Sequence, residues 1–103
     1  MINNYTFIGI KDRYINMDFP FKQIESDGKI IRTFTKDVDD EELKWHFDLE
    51  DRWVTILESN GWSFQFDNGL PTKLENQDKL YIPKLVWHRV IKGDGNLVVS
   101  IQE

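Results

Sequence analysis

Turn signals at short intervals constrain this chain more than anything else in it. Asp27-Gly28, Asn60-Gly61, Asn68-Gly69 and Gly93-Asp94-Gly95-Asn96 are sequences that reverse a chain, because Asn, Asp and Gly tolerate positive φ. Between them lie short runs rich in β-branched and aromatic residues: 29–35 (KIIRTFT), 43–47, 53–58 (WVTILE), 62–67 (WSFQFD), 80–83, 86–91 and 97–101. In WSFQFD, Trp62, Phe64 and Phe66 alternate with more polar residues, the period-two pattern of a half-buried strand. No stretch carries the 3.6 period of an amphipathic helix. The pattern predicts an all-β fold of short antiparallel strands, a sandwich or barrel. Asn60-Gly61 predicts a type I′ hairpin joining the runs on either side of it, and Asp27-Gly28 predicts a second, between the run ending at Ile24 and the one beginning at Lys29.

With 103 residues the chain makes one domain, large enough to bury a core without staples. Residues 1–40 are expected to supply edge strands, with an arm that covers the barrel or crosses to a partner, and residues 41–103 the barrel itself. The acidic stretch Asp37 to Leu43 (DVDDEEL) reads as a solvated loop or a single helical turn. It lacks the Gly and the closing Glu that a calcium loop needs at fixed offsets. The absence of Cys excludes disulfides, thiolate zinc sites, iron–sulfur clusters and thiol chemistry. Eighteen acidic residues against thirteen basic ones give a net charge of −5, a field that repels nucleic acid. The start shows no basic segment followed by an apolar one, and no apolar run is long enough to span a bilayer. No membrane association is expected, and a cytoplasmic location is.

The two histidines stand in similar settings: Lys44-Trp45-His46-Phe47-Asp48 and Val86-Trp87-His88-Arg89-Val90. On a strand, residues two apart share a face. His46 and Asp48 therefore point one way and Trp45 and Phe47 the other, while Val86, His88 and Val90 share a face opposite Trp87 and Ile91.

These residues resemble the two motifs of the cupin superfamily. Against the first, G-x(5)-H-x-H-x(3,4)-E-x(6)-G, the chain reads His46-x-Asp48-x(3)-Arg52-x(6)-Ser59. Against the second, G-x(5)-P-x-G-x(2)-H-x(3)-N, it reads Gln77-x(5)-Pro83-x-Leu85-x(2)-His88-x(3)-Lys92. The likeness covers roughly residues 43 to 101, and the chain is also similar to short cupin-like proteins of large tailed phages. The resemblance implies a jelly-roll barrel, that is, a double-stranded antiparallel β-helix, that works as a homodimer. It departs from the family at four kinds of position. Asp48 stands for the second ligand His, Arg52 for the ligand Glu, and Ser59, Gln77 and Leu85 for glycines.

Three functional readings follow. In the first, His46, Asp48 and His88 hold a divalent metal (Fe, Mn, Ni or Zn), the two-imidazole, one-carboxylate set that leaves positions open for small molecules. Arg52 lines the same pocket and holds an anionic group of the small-molecule ligand. In the second, Arg52 repels a cation and pairs with Asp48, and the protein is a structural or interaction module without a metal. In the third, the pocket binds a sugar or nucleotide sugar without metal. His46 or His88 would then be the candidate catalytic base, and Tyr81 the acid if it faces the pocket. Trp45, Trp53, Trp62 and Trp87 are suited to stacking on rings but are expected chiefly in the core or at an interface.

Overall fold

Asp27 and Gly28 take φ of 52° and 77°, the pair of positive values that a type I′ turn requires. They join β1 (Lys22–Ser26) to β2 (Lys29–Phe34) as the sequence predicts, with Ser26 opposite Lys29. The computed structural model describes residues 21–39 and 43–103. The expected arm falls largely on residues 1–20 and so lies outside the described residues, as does the 40–42 part of the acidic stretch. The described part of that stretch begins with a turn in which Val38 N–H donates to Thr35 O at 3.2 Å.

Six further strands follow: β3 (Arg52–Glu58), β4 (Ser63–Phe66), β5 (Thr72–Lys73), β6 (Lys79–Ile82), β7 (His88–Ile91) and β8 (Leu97–Gln102). They form two antiparallel sheets, one ordered β1-β2-β8-β3-β6 and the other β5-β4-β7. β2 lies between β1 and β8. Alternation fixes which side chains go inward. Ile30, Arg32 and Phe34 of β2, Val54 and Ile56 of β3, and Leu97, Val99 and Ile101 of β8 are all buried. Phe64 of β4, with Trp62 just before it and Leu74 just after β5, closes the core from the other sheet.

Asn60 and Gly61 also have the expected turn backbone, with φ of 44° and 82° and Trp62 N–H donating to Ser59 O at 2.9 Å. The flanking strands nevertheless do not pair, so the hairpin reading is corrected: β3 pairs β8 and β6, while β4 pairs β5 and β7. A register shift between Ile56 and Glu58 bends the end of β3, as an extra residue in a ladder does, and the turn then carries the chain into the second sheet. The β7–β8 connection locks this crossing. A Cβ on Gly93 would lie 2.5 Å from Trp62 N, Asp94 N–H donates to Asn60 O at 2.8 Å, and Trp62 Nε1–H donates to Gly95 O at 2.8 Å.

The strand expected over 43–47 is reduced to one antiparallel bridge, His46 opposite His88. Two backbone bonds make it, His46 N–H to His88 O at 3.0 Å and His88 N–H to His46 O at 2.8 Å. Two residues on, Asp48 O accepts from Leu85 N–H at 2.8 Å, which turns the segment away from β7. No helix among the described residues is long and apolar enough to cross a membrane.

Candidate metal centre

The single bridge is enough to stack the two imidazoles, whose centroids are 4.4 Å apart. His46 Nδ1 lies 2.9 Å from Lys44 O and His88 Nδ1 2.9 Å from Val86 O. A carbonyl only accepts, so each neutral ring carries its proton on Nδ1 and turns the lone pair of Nε2 to the other side. Asp48, 2% exposed, stands beside them. One donor atom from each of His46, Asp48 and His88 lies within 4.8 Å of the others.

The two oxygens of Asp48 have different neighbours. Oδ1 faces Arg52 Nη1 at 3.2 Å. Oδ2 is buried without a hydrogen-bond partner, and 3.3 Å from it lies His88 Nε2. With the His88 proton on Nδ1, these are two lone pairs facing each other. Only a positive species between them, a proton or a metal ion, satisfies both. Arg52 is engaged a second time: Nη2 lies 2.8 Å and Nε 3.0 Å from Glu103 Oε2. It therefore bridges Asp48 to Glu103.

Burial of His46, reinforced by the neighbouring His88 and partly opposed by Asp48, lowers its pKa to about 4. Burial of Asp48 acts to raise its pKa. The His88 contact and then the Arg52 guanidinium outweigh that and hold it at about 2. The centre thus keeps a neutral imidazole and an ionised carboxylate over a wide pH range, the protonation states that metal ligation requires.

These groups share a cavity of about 60 Å³ with otherwise apolar walls that include Phe34, Ile56, Phe64 and Val99. His46, Asp48, Arg52 and His88 all line it. Tyr81 does not. It stacks on Trp53 on the outer face of β3 and β6, centroids 4.5 Å apart, and is 43% exposed. Its candidacy as the acid is thereby removed, because alternation sends Leu80 and Ile82 inward instead. Trp45 lies under the Arg89 guanidinium and Trp87 packs edge-on against Phe47. Both lie away from the cavity, and Trp62 is in the core.

Arg32 was not among the residues singled out from the sequence. It is 6% exposed and lines the cavity, and its charge is among the influences on His46. The signal was available, since Arg32 shares the apolar face of its run with Ile30 and Phe34. Glu103 gave no signal, because its contact with Arg52 spans 51 positions.

Two of the three positions at which the resemblance would place glycine have a left-handed backbone: Gln77 with φ of 73° and Leu85 with φ of 64°. At the third, the positive φ values fall on the next two residues, Asn60 and Gly61.

No family model matches the sequence, and no curated protein matches it. Solved structures match it in three dimensions. One of DMSP lyases has a TM-score of 0.60 at 14% identity, with 71% of this chain and 35% of that chain covered. Fe(II) HppE in complex with substrate has 0.58 at 12%, covering 82% and 53%. This chain thus spans 35% of the length of the first and 53% of the second. A cupin-2 domain protein of Shewanella frigidimarina has 0.57 at 14%, covering 96% of each chain. Two antiparallel sheets closing on a polar cavity, the motif spacing and the end-to-end match to a cupin-2 domain agree, and the chain has the cupin fold.

Proposed function

We propose that this protein binds one divalent transition metal (Fe, Mn, Ni or Zn) through His46, Asp48 and His88, and presents it to a small molecule in the adjoining cavity. The observation that carries this is the buried, unpartnered Asp48 Oδ2 facing His88 Nε2 at 3.3 Å. A bound cation would act there as a Lewis acid or as a platform for a ligand with open positions. His46 and His88 would present Nε2, each oriented by its Nδ1–H bond to a backbone carbonyl. Arg52 would hold Asp48 by Oδ1 and so leave Oδ2 to the metal. The iron in the HppE structure supports the reading by analogy of fold alone.

The test is the metal content of protein purified without a histidine tag. About one ion per chain is expected, and its loss in His88→Ala, a ligand deletion that costs at least about 100-fold in affinity. Metal-free protein whose melting temperature does not respond to Fe, Mn, Ni or Zn would overturn the reading.

The Asp48–Arg52 ion pair favours a second reading, a metal-free interaction module in which the guanidinium takes the place of the ion. The same measurement separates the two. In the second, Arg52→Gln destabilises the protein and no added metal restores it.

A further inference from the structure

The identity of the cavity's occupant can be argued from its charges and walls. Resting on the metal reading, the polar groups here are two neutral imidazoles, one carboxylate from Asp48 and the guanidiniums of Arg32 and Arg52, with Glu103 completing the Arg52 pair. A divalent ion leaves a positive surplus. The surplus persists even where a neighbour balances the charge of Arg32 in full. Inside apolar walls an uncompensated charge is costly, so the occupant is an anion.

Of the two arginines, Arg52 is already bonded to two carboxylates of the chain. Arg32 is fixed differently. Its Nε–H donates to Gln23 Oε1 at 2.6 Å, and the guanidinium carbon sits 4.2 Å above the centre of the Phe21 ring. These contacts orient a planar fork on β2, whose residue 32 stands opposite Val99, at the wall of the cavity that holds the histidines. A fork of this kind matches a carboxylate. The surrounding walls, Phe34, Ile56 and Phe64, need an apolar body to cover them, which inorganic phosphate does not have. A cavity of about 60 Å³ excludes a nucleotide sugar.

We propose that the ligand of this centre is a small organic carboxylate whose carboxylate end meets Arg32, not Arg52, and whose carbon skeleton lies against the apolar wall beside the metal. The test is calorimetric. Mn(II) and Zn(II) are first titrated alone into the apo-protein. The loaded protein is then titrated with acetate, malonate and succinate, and with inorganic phosphate for comparison. At least one carboxylate is expected to bind. Arg32→Gln should weaken it by about tenfold or more while the metal Kd stays within about twofold. Arg32→Lys, which keeps the charge and loses the fork, should fall between and carries the test should the glutamine variant not fold. Three results overturn the proposal while the metal reading stands: no carboxylate binds the loaded protein, both Arg32 variants bind as the wild type does, or phosphate binds more tightly than every carboxylate. Failure of both metals in the first titration overturns the metal reading and this proposal together.

Discussion

Residues 77–92 hold glycine-like backbone without glycine, whereas residues 46–59 hold the ligand positions of a cupin with other side chains in them. In the first segment Gln77 and Leu85 sit at φ of 73° and 64°, where a side chain costs on the order of 1 kcal/mol. The strain is tolerated because hydrogen bonds pin these turns from outside: Gln77 N–H donates to Ile56 O at 2.7 Å and Leu85 N–H to Asp48 O at 2.8 Å. In the second segment the backbone delivers His46, Asp48 and Arg52 to one cavity, but the charges differ from those of a four-ligand site. The difference teaches that backbone geometry, set by many pairings, survives the replacement of one residue. The charge balance of a buried site depends on each group in it.

The largest test of the contrast is Arg52→Glu, which restores the carboxylate of the family pattern at the position where this chain has a cation. Without metal the new carboxylate would stand buried beside Asp48 and Glu103. Removing one partner of such a pair costs about 3 to 5 kcal/mol, and like charges add to that. With Mn(II) or Zn(II) the variant should recover more stability than the wild type gains, read as a larger metal-induced rise in melting temperature. An Arg52→Glu protein as stable without metal as the wild type would show that the charges of the two segments matter no more than the turns do.

Acid should unsettle the same segment. Unfolded, His46 takes up a proton near pH 6.5, and folded only near 4. Between those values the unfolded state binds more protons, so stability is full above 6.5 and falls as the pH falls toward 4, by roughly 3 kcal/mol in all. Asp48, at about 2 instead of 3.8, continues the loss in the same direction below pH 4. Urea unfolding of apo-protein at pH 7, 5.5 and 4.5 checks this. His46→Gln should flatten the decline, since it removes the group that the unfolded chain protonates. A slope unchanged by the substitution would assign the acid sensitivity elsewhere.

Much of this was legible in the sequence, and the illegible parts share a cause. Period-two alternation gave the strands and the inward faces, because one buried face forces it. His46, Asp48 and His88 could be placed together, because spacing by two and one cross-strand bridge suffice. The switch of sheets at Asn60-Gly61 could not be read, because a type I′ turn looks the same whether its flanks pair or part. What decides it is the bend at the end of β3 and the close passage of Gly93, contacts between residues far apart in the chain. Arg32 was overlooked because charge was given more weight than phase. Its place between Ile30 and Phe34 marks the inward face, where a guanidinium is kept only with partners to meet it.

The smallest effect tests the other half of the contrast. Where the backbone is already left-handed, replacing the side chain with glycine removes the clash of Cβ with the following carbonyl, against a modest entropic cost in the unfolded chain. Leu85→Gly is the cleaner case. Its side chain is 58% exposed, so little packing is lost, and a net gain of up to about 1 kcal/mol is expected, with Gln77→Gly similar. The double variant should add nearly in full, since the two turns have separate hydrogen-bond partners. Metal affinity should not change in either, because neither side chain lines the cavity. If Leu85→Gly instead lowered stability, its side chain would be contributing more than the strain it imposes. The turn at 84–85 would then be held by packing, and residues 77–92 would be as dependent on particular side chains as residues 46–59.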